Sequence, residues 1–133
     1  MEVRDAVEED AEALAGLADA PTDVLRNVVH DRTVRVAVSD DAGTIVAFVS
    51  FDASPGTVHV TQLQGTATAC ERLIEEPVRF AAREGMAVEI LVAADDHDLR
   101  SVAQGAGFVQ EGDGPRFDGT GTVRYRREDG PTA

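Results

Sequence analysis

Between Thr57 and Ala93 the hydrophobic period of this chain changes twice. Thr57 to Leu63 reads as a strand. From Thr66 to Glu84 the apolar residues Ala67, Cys70, Leu73, Ile74, Pro77, Val78 and Ala81 recur at helical spacing and form one stripe. Val88 to Ala93, rich in Val, Ile and Leu, returns to a strand. Such a strand–helix–strand unit closes as a right-handed crossover, which makes its two strands parallel neighbours. The unit constrains the fold more than any other feature of the sequence. It excludes an all-β sandwich and a helix bundle and requires α/β architecture with a parallel pair.

The flanking segments place that pair in a mixed sheet. Glu2 to Val7 reads as a strand, and Glu8-Glu9-Asp10 opens a helix with acids in its first turn, where the helix dipole favours them. Pro21 and Thr22 start a second helix, with Val24, Leu25, Val28 and Val29 on one face. Thr33 to Ser39, Thr44 to Phe51 and Thr57 to Leu63, joined by turns at Asp40–Gly43 and Ser54–Gly56, form an antiparallel meander. Pro77 conflicts with a continuous long helix, because it lacks a backbone donor and its ring crowds the preceding turn. One helix kinked at Pro77 is expected, with two helices split at Glu76 as the alternative. Glu75 and Arg79 are spaced to pair on its outer face, and Gly85 ends it. Asp95 to Ala106 reads as a short helix closed by Gly107. Phe108 to Glu111 starts a strand, Gly112 to Gly121 is a Gly- and Pro-bearing loop, and Thr122 to Arg127 completes the sheet. The expected order is β-α-α-β-β-β-α-β-α-β-β, within one domain spanning residues 1–128 and followed by a frayed tail over 129–133.

Charge bears on the surroundings of the protein. The 133 residues carry 25 acids against 12 bases, a net charge of −13, and every base is an arginine. This excludes a basic nucleic-acid binder. Self-repulsion of this size destabilises a compact chain in dilute buffer and largely vanishes at ~1 M salt, where the Debye length is ~3 Å. A halophilic source with a salty cytoplasm is the expectation; an acidic protein from a G+C-rich genome is the alternative. One cysteine, Cys70, excludes a disulfide framework and a cysteine-based zinc site. No apolar run approaches the ~18 residues of a membrane span, and the first residues are charged. A cytoplasmic protein with no membrane partner is expected.

The segment with chemical content is Gln62-Leu63-Gln64-Gly65-Thr66-Ala67-Thr68-Ala69, where a strand passes through a glycine and small residues into a helix. The first backbone N–H groups of a helix lack intrahelical acceptors and carry the positive end of its dipole. Small side chains let an anion reach them, and Thr66 and Thr68 add hydroxyl donors. The arrangement suits a phosphate or pyrophosphate cradle at the carboxyl end of parallel strands, where α/β sheets bind ligands. The plainer reading is an ordinary helix start, with Gly for the turn and Thr as cap.

With this order of elements, the sequence resembles the GNAT superfamily of acyl-CoA-dependent N-acetyltransferases. That family carries a Q/R-x-x-G-x-G/A motif at the start of its third helix, matched by Gln62, Gly65 and Ala67. It also tends to end a later helix in Gly-Phe, matched by Gly107-Phe108. The resemblance covers roughly residues 2–127. It implies that acetyl-CoA is the acyl donor, with Gln62 among the cofactor-binding residues and the pyrophosphate held by the backbone from about Gln64 through Gly65, Thr66, Ala67 and Thr68 to Ala69. The pantetheine arm would lie between strands 57–63 and 88–93. It further implies an amine acceptor, a small molecule or a peptide, and leaves open a homodimer. A bulky side chain at Gly65, such as Arg, is expected to block the cradle without unfolding the chain. A non-catalytic GNAT-like binding or interaction module is the alternative.

The catalytic groups stay open. Many members of the family place a tyrosine five residues before the Phe of Gly-Phe; here that position is Ala103, and the asparagine often found earlier in that motif falls on Asp96. His59 is a candidate base if it faces the acceptor, or else a surface histidine. Glu89, on an otherwise apolar strand, is a base or an arginine partner. Tyr125, the only tyrosine, is an acid or a packing residue. His97 among Asp95, Asp96 and Asp98 is a metal ligand or part of a charged helix start, and no metal is assigned. Cys70 is a core residue by its place on the apolar stripe. Arg72 and Arg100 either meet the outer phosphate of the cofactor or are solvated.

Overall fold

A computed structural model describes residues 1–116 and 119–128. Seven strands form one sheet in the order β1-β2-β3-β4-β5-β7-β6. They are β1 (Glu2–Asp5), β2 (Thr33–Val38), β3 (Ile45–Ser54), β4 (Thr57–Gly65), β5 (Ala87–Ala93), β6 (Val109–Asp113) and β7 (Thr122–Glu128). A 3₁₀ turn at Glu8–Asp10 leads into α1 (Ala11–Ala18). It is followed by α2 (Thr22–Asp31), α3 (Ala67–Leu73), α4 (Glu75–Glu84) and α5 (His97–Gly105). Only β4 and β5 are parallel, as the crossover requires; the other neighbours are antiparallel. The expected mixed α/β order is present. The tail expected over 129–133 lies outside the described residues.

The sheet separates two apolar layers. On one face α1 and α2 bury Leu14 and Leu25 against Val34, Val36 and Phe48. On the other, α3, α4 and α5 bury Leu73, Ile74, Val78 and Val102 against Val49, Phe51, Val58, Ile90 and Tyr125. Side chains alternate along a strand, so β3 feeds both layers, with Phe48 on one side and Val49 on the other.

The long helix breaks at Ile74, not at Pro77 or Glu76. The shift has a physical reason. A break at Ile74 makes Pro77 the third residue of α4, in the first turn, where a missing N–H costs no intrahelical bond. The Ile74 N–H still donates to the Cys70 carbonyl at 2.9 Å, so α3 is closed up to the break. The expected Glu75–Arg79 pair does not form. Arg79 pairs with Glu76 at 2.7 Å, because Glu76 also faces Arg35 of β2 at 3.4 Å. Gly85 ends α4 in the left-handed conformation, with φ 69°.

Strand β4 is longer than its sequence suggests. It runs through Gln64 and Gly65, which lie opposite Phe48 and Ala47 of β3. Gly65 has φ +131°, and a Cβ there would lie 2.5 Å from Ala47 Cα. Glycine is therefore demanded by the close approach of β3. The expectation that Gly65→Arg leaves the fold intact is overturned, since β3 backbone occupies the space of any side chain.

Candidate functional site

Strands β4 and β5 part midway. Their parallel pairing runs from Thr57↔Ala87 to Val60↔Ile90, after which β4 continues to Gly65 and β5 to Ala93. The divergence begins at a bulge: Ser50 faces Gln62 and Phe51 faces Val60, so Thr61 is the extra residue. A bulge bends its strand and leaves the extra residue off the ladder. The Thr61 hydroxyl fixes this one, lying 2.7 Å from Ser50 Oγ and donating to the Ser50 carbonyl at 3.1 Å. Ser50 is fully buried, which explains a hydroxyl within an apolar strand. The sequence carried a signal for the bulge. The core-facing residues of β4 are Val58, Val60 and Leu63, and the step of three marks the inserted position.

The split is a cavity of about 160 Å³ lined by Thr61, Gln62, Gln64, Ile90, Leu91 and Leu99, among others. The Oε1 atom of Gln62 is buried without a hydrogen-bond partner among the described residues. A buried amide oxygen left unpaired is costly, so the split presents an acceptor for a ligand donor. The split shares lining residues with two further cavities. Toward the helices it meets a cavity of about 120 Å³ at the start of α3, bounded by Gly65, Ala67, Cys70, Asp96 and Asp98. On the opposite side it meets one of about 500 Å³, bounded by His59, Thr61, Glu89, Leu91, Thr122 and Arg124.

At the first end, Thr66 is the N-cap of α3. Its hydroxyl accepts from the Ala69 N–H at 3.3 Å, and its own N–H donates to the Val46 carbonyl at 3.2 Å. The N–H groups of Ala67 and Thr68 are left without a protein acceptor among the described residues. Of the seven residues named from the sequence, Gln62 lines the split and Gln64 and Gly65 finish β4. Thr66 caps α3, Ala67 and Thr68 offer free N–H groups, and Ala69 is buried with its N–H engaged. Cys70 lies behind them, 3% exposed, as a core residue should; burial, with a further contribution from Asp96, pushes its thiol up to about 11.

At the other end, β4, β5 and β7 put His59, Glu89 and Arg126 in one register row, and Leu91 and Arg124 in the next. Val58, Ile90 and Tyr125 point to the helices α3–α5, so these residues take the other face. Glu89 is ion-paired to Arg126 and lies 3.7 Å from Arg124. Its second reading, as an arginine partner, is the one observed. His59 borders the same cavity.

Tyr125 is fully buried, and its hydroxyl accepts from Arg100 Nε at 3.0 Å and Gln104 Nε2 at 3.4 Å. It is a packing residue that ties β7 to α5. Arg100 also donates to the Ala94 carbonyl at 2.9 Å. It is half-buried and bridges Tyr125 and the Ala94 carbonyl, a role the sequence did not suggest. Arg72 is exposed. His97 is exposed at the start of α5, and no cluster of His, Cys, Asp and Glu suited to a metal occurs among the described residues. No helix among them is long and apolar enough to cross a membrane.

No protein-family model and no curated protein matches the sequence. Solved structures do match in fold. A GNAT-family protein from Desulfovibrio desulfuricans, described as an acetyltransferase, is 17% identical with a TM-score of 0.77, over 96% of this chain and 98% of that one. The yncA protein from Salmonella typhimurium, solved with acetyl-CoA, is 15% identical with a TM-score of 0.80, over 100% and 96%. The ribosomal-protein-S18-alanine N-acetyltransferase from Escherichia coli is 10% identical with a TM-score of 0.80, over 99% and 96%. A seven-stranded mixed sheet opened between its one parallel pair, superposable on these proteins over nearly the whole chain, gives this protein the fold of the GNAT acetyltransferases.

Proposed function

We propose that the protein is an N-acetyltransferase that binds acetyl-CoA along the β4–β5 split and acetylates an amine. The observation that carries the reading is the split itself. It adjoins free helix N–H groups on one side and a roomy cavity on the other, and holds an unpartnered amide oxygen. The yncA protein, of the same fold, is solved with acetyl-CoA, which supports the choice of donor.

The residues present suit that group. In this reading the Ala67 and Thr68 N–H groups, with the Thr66 and Thr68 hydroxyls, hold the pyrophosphate. Gln62 Oε1 and the β4 backbone beyond Val60 take the amides of the pantetheine arm. When bound, acetyl-CoA supplies an acetyl group as a thioester. The β4 backbone at the Thr61 bulge, where the strands divide, would be the part of the chain nearest an oxyanion. His59, at the cavity mouth, would take the proton of the attacking amine.

Calorimetric titration of acetyl-CoA and of free CoA in concentrated KCl tests the reading. Saturable binding of both is expected, followed by acetyl transfer in an amine screen that falls at least tenfold in His59→Gln. Absence of binding at millimolar ligand, with the protein folded by circular dichroism, would overturn it. A second reading has its own support: Ala103 stands where many members of the family have a tyrosine, and Tyr125 is occupied by Arg100 and Gln104. A non-catalytic binding module would bind CoA and transfer acetyl to none of the amines.

A further inference from the structure

We infer that the acceptor is a small aminocarboxylate, its carboxylate held by Arg124; the inference rests on the transferase reading above. The cavity that meets the split on the α1–α2 side is the largest of the three, about 500 Å³, a volume suited to a small molecule. Its polar lining has a definite charge pattern. Among the described residues Glu89 is the only carboxylate bordering it, and it is in a direct ion pair with Arg126, which also holds Glu128 at 2.7 Å. Arg124 approaches Glu89 only to 3.7 Å through Nε, its side chain is 41% exposed, and it makes no side-chain hydrogen bond among the described residues. Its guanidinium fork therefore remains open toward the cavity. A chain with net charge −13 thus presents at this mouth a partly exposed arginine whose one acid contact among the described residues is the long one to Glu89. A polyamine or aminoglycoside-like acceptor would meet Arg124 as a like charge. A carboxylate would meet a bidentate partner.

The spacing limits the acceptor's size. Arg124 is in register with Leu91, one strand away from the split that opens beside Thr61. Neighbouring strands lie about 5 Å apart, so an amine poised at the split and a carboxylate on Arg124 belong to one short molecule. Leu91, on the same face as Arg124, is the apolar side chain between them, and it is 41% exposed although it is a large hydrophobic residue. An exposed leucine there suits an amino acid with an apolar side chain.

The experiment compares leucine, leucinamide and 3-methylbutylamine, which share the side chain and differ in the carboxylate, together with a diamine, as acceptors for acetyl-CoA. Leucine is expected to be preferred. Arg124→Gln should lower kcat/KM for leucine roughly 10–100-fold, the worth of a charge-assisted pair, and leave 3-methylbutylamine and the calorimetric affinity for acetyl-CoA unchanged. Amide shifts of Thr61 and Leu91 should move on adding leucine to the CoA complex, a readout independent of turnover. Equal use of the amine and leucine, preference for the diamine, or an unchanged leucine kcat/KM in Arg124→Gln would overturn the inference while acetyl-CoA binding stood. Failure to bind acetyl-CoA would overturn the transferase reading and this inference with it.

Discussion

Gly65 and Ala47 face each other across β3 and β4 so closely that no side chain fits between them. The glycine in the helix-entry motif thus serves the sheet first. Gly65→Ala should lose about 3 kcal/mol or fail to fold, since it combines backbone overlap with a left-handed φ, and urea denaturation measures this. Exposed Ala67 is the better probe of the cradle. Ala67→Glu should keep the wild-type denaturation midpoint within experimental spread and weaken acetyl-CoA at least tenfold, because it sets a carboxylate at the free N–H groups. A folded Ala67→Glu protein that bound acetyl-CoA normally would move the pyrophosphate elsewhere.

The hydroxyl of Tyr125 satisfies two donors from α5 and lines none of the three cavities of the site. Tyr125→Phe leaves Arg100 Nε and Gln104 without that acceptor, at a cost of about 1–2 kcal/mol. Any acetyl transfer should continue at an unchanged rate with an unchanged pH profile. A loss of kcat with normal stability would make Tyr125 an acid in the reaction.

Asp10 ties the entry of α1 to β1. Arg4 donates to both carboxylate oxygens, at 2.9 and 3.2 Å, and the Val7 N–H donates at 2.8 Å. The Arg4 hydrogen bonds, helped by the Val7 donor and the Arg4 charge and opposed by burial, hold the Asp10 carboxyl below its ordinary value. The folded state therefore binds this proton less readily than the unfolded chain. The stabilisation is present above the unfolded value, near 4, and is lost as pH falls through the lower folded value. With Arg4 38% exposed, solvent screening limits the contribution to about 1 kcal/mol. Asp10→Asn should lower stability by that amount at pH 7 and converge with the parent at the acid end. Parallel stability curves for the two proteins down to pH 2 would show that the ion pair does not act this way.

The fold was legible because its elements are local and periodic. Val34, Val36 and Val38 announce a strand, and the spacing from Ala67 to Ala81 announces a helix. Pro77 was visible as a conflict, yet where the helix yields depends on fitting the ring into a first turn, so the break fell at Ile74. The glycine entry was visible for the wrong reason: its cause is Ala47, eighteen positions earlier in sequence and adjacent only in the sheet. The cavity beyond the split was hidden in the same way. His59, Glu89, Arg124 and Arg126 share a face only through the β4–β5–β7 register, in which β7 enters next to β5 out of chain order.

The proposed pyrophosphate site should respond to salt differently from most anion sites. The cavity at the start of α3 is bounded by Asp96 and Asp98, both exposed, and the adjoining groove between α3 and α5 by Glu71 and Glu75. In the proposed binding mode an incoming pyrophosphate would meet helix N–H groups beside these carboxylates. Exposed charges of this kind act over distances near the Debye length, ~10 Å at 0.1 M salt and ~3 Å at 1 M. The short-range hydrogen bonds to Ala67 and Thr68 are screened much less. Salt therefore removes more repulsion than attraction, and acetyl-CoA should bind roughly tenfold more tightly at 1 M KCl than at 0.1 M, the reverse of a site built from arginines. Asp96→Asn with Asp98→Asn should bind more tightly at low salt and show a flatter dependence. The α5 cap survives, because an asparagine oxygen can still accept from the Leu99 N–H that Asp96 engages at 3.1 Å. Calorimetry across a KCl series on both proteins reads the two slopes, and a wild-type affinity that falls with salt would place the dominant contacts on cations elsewhere.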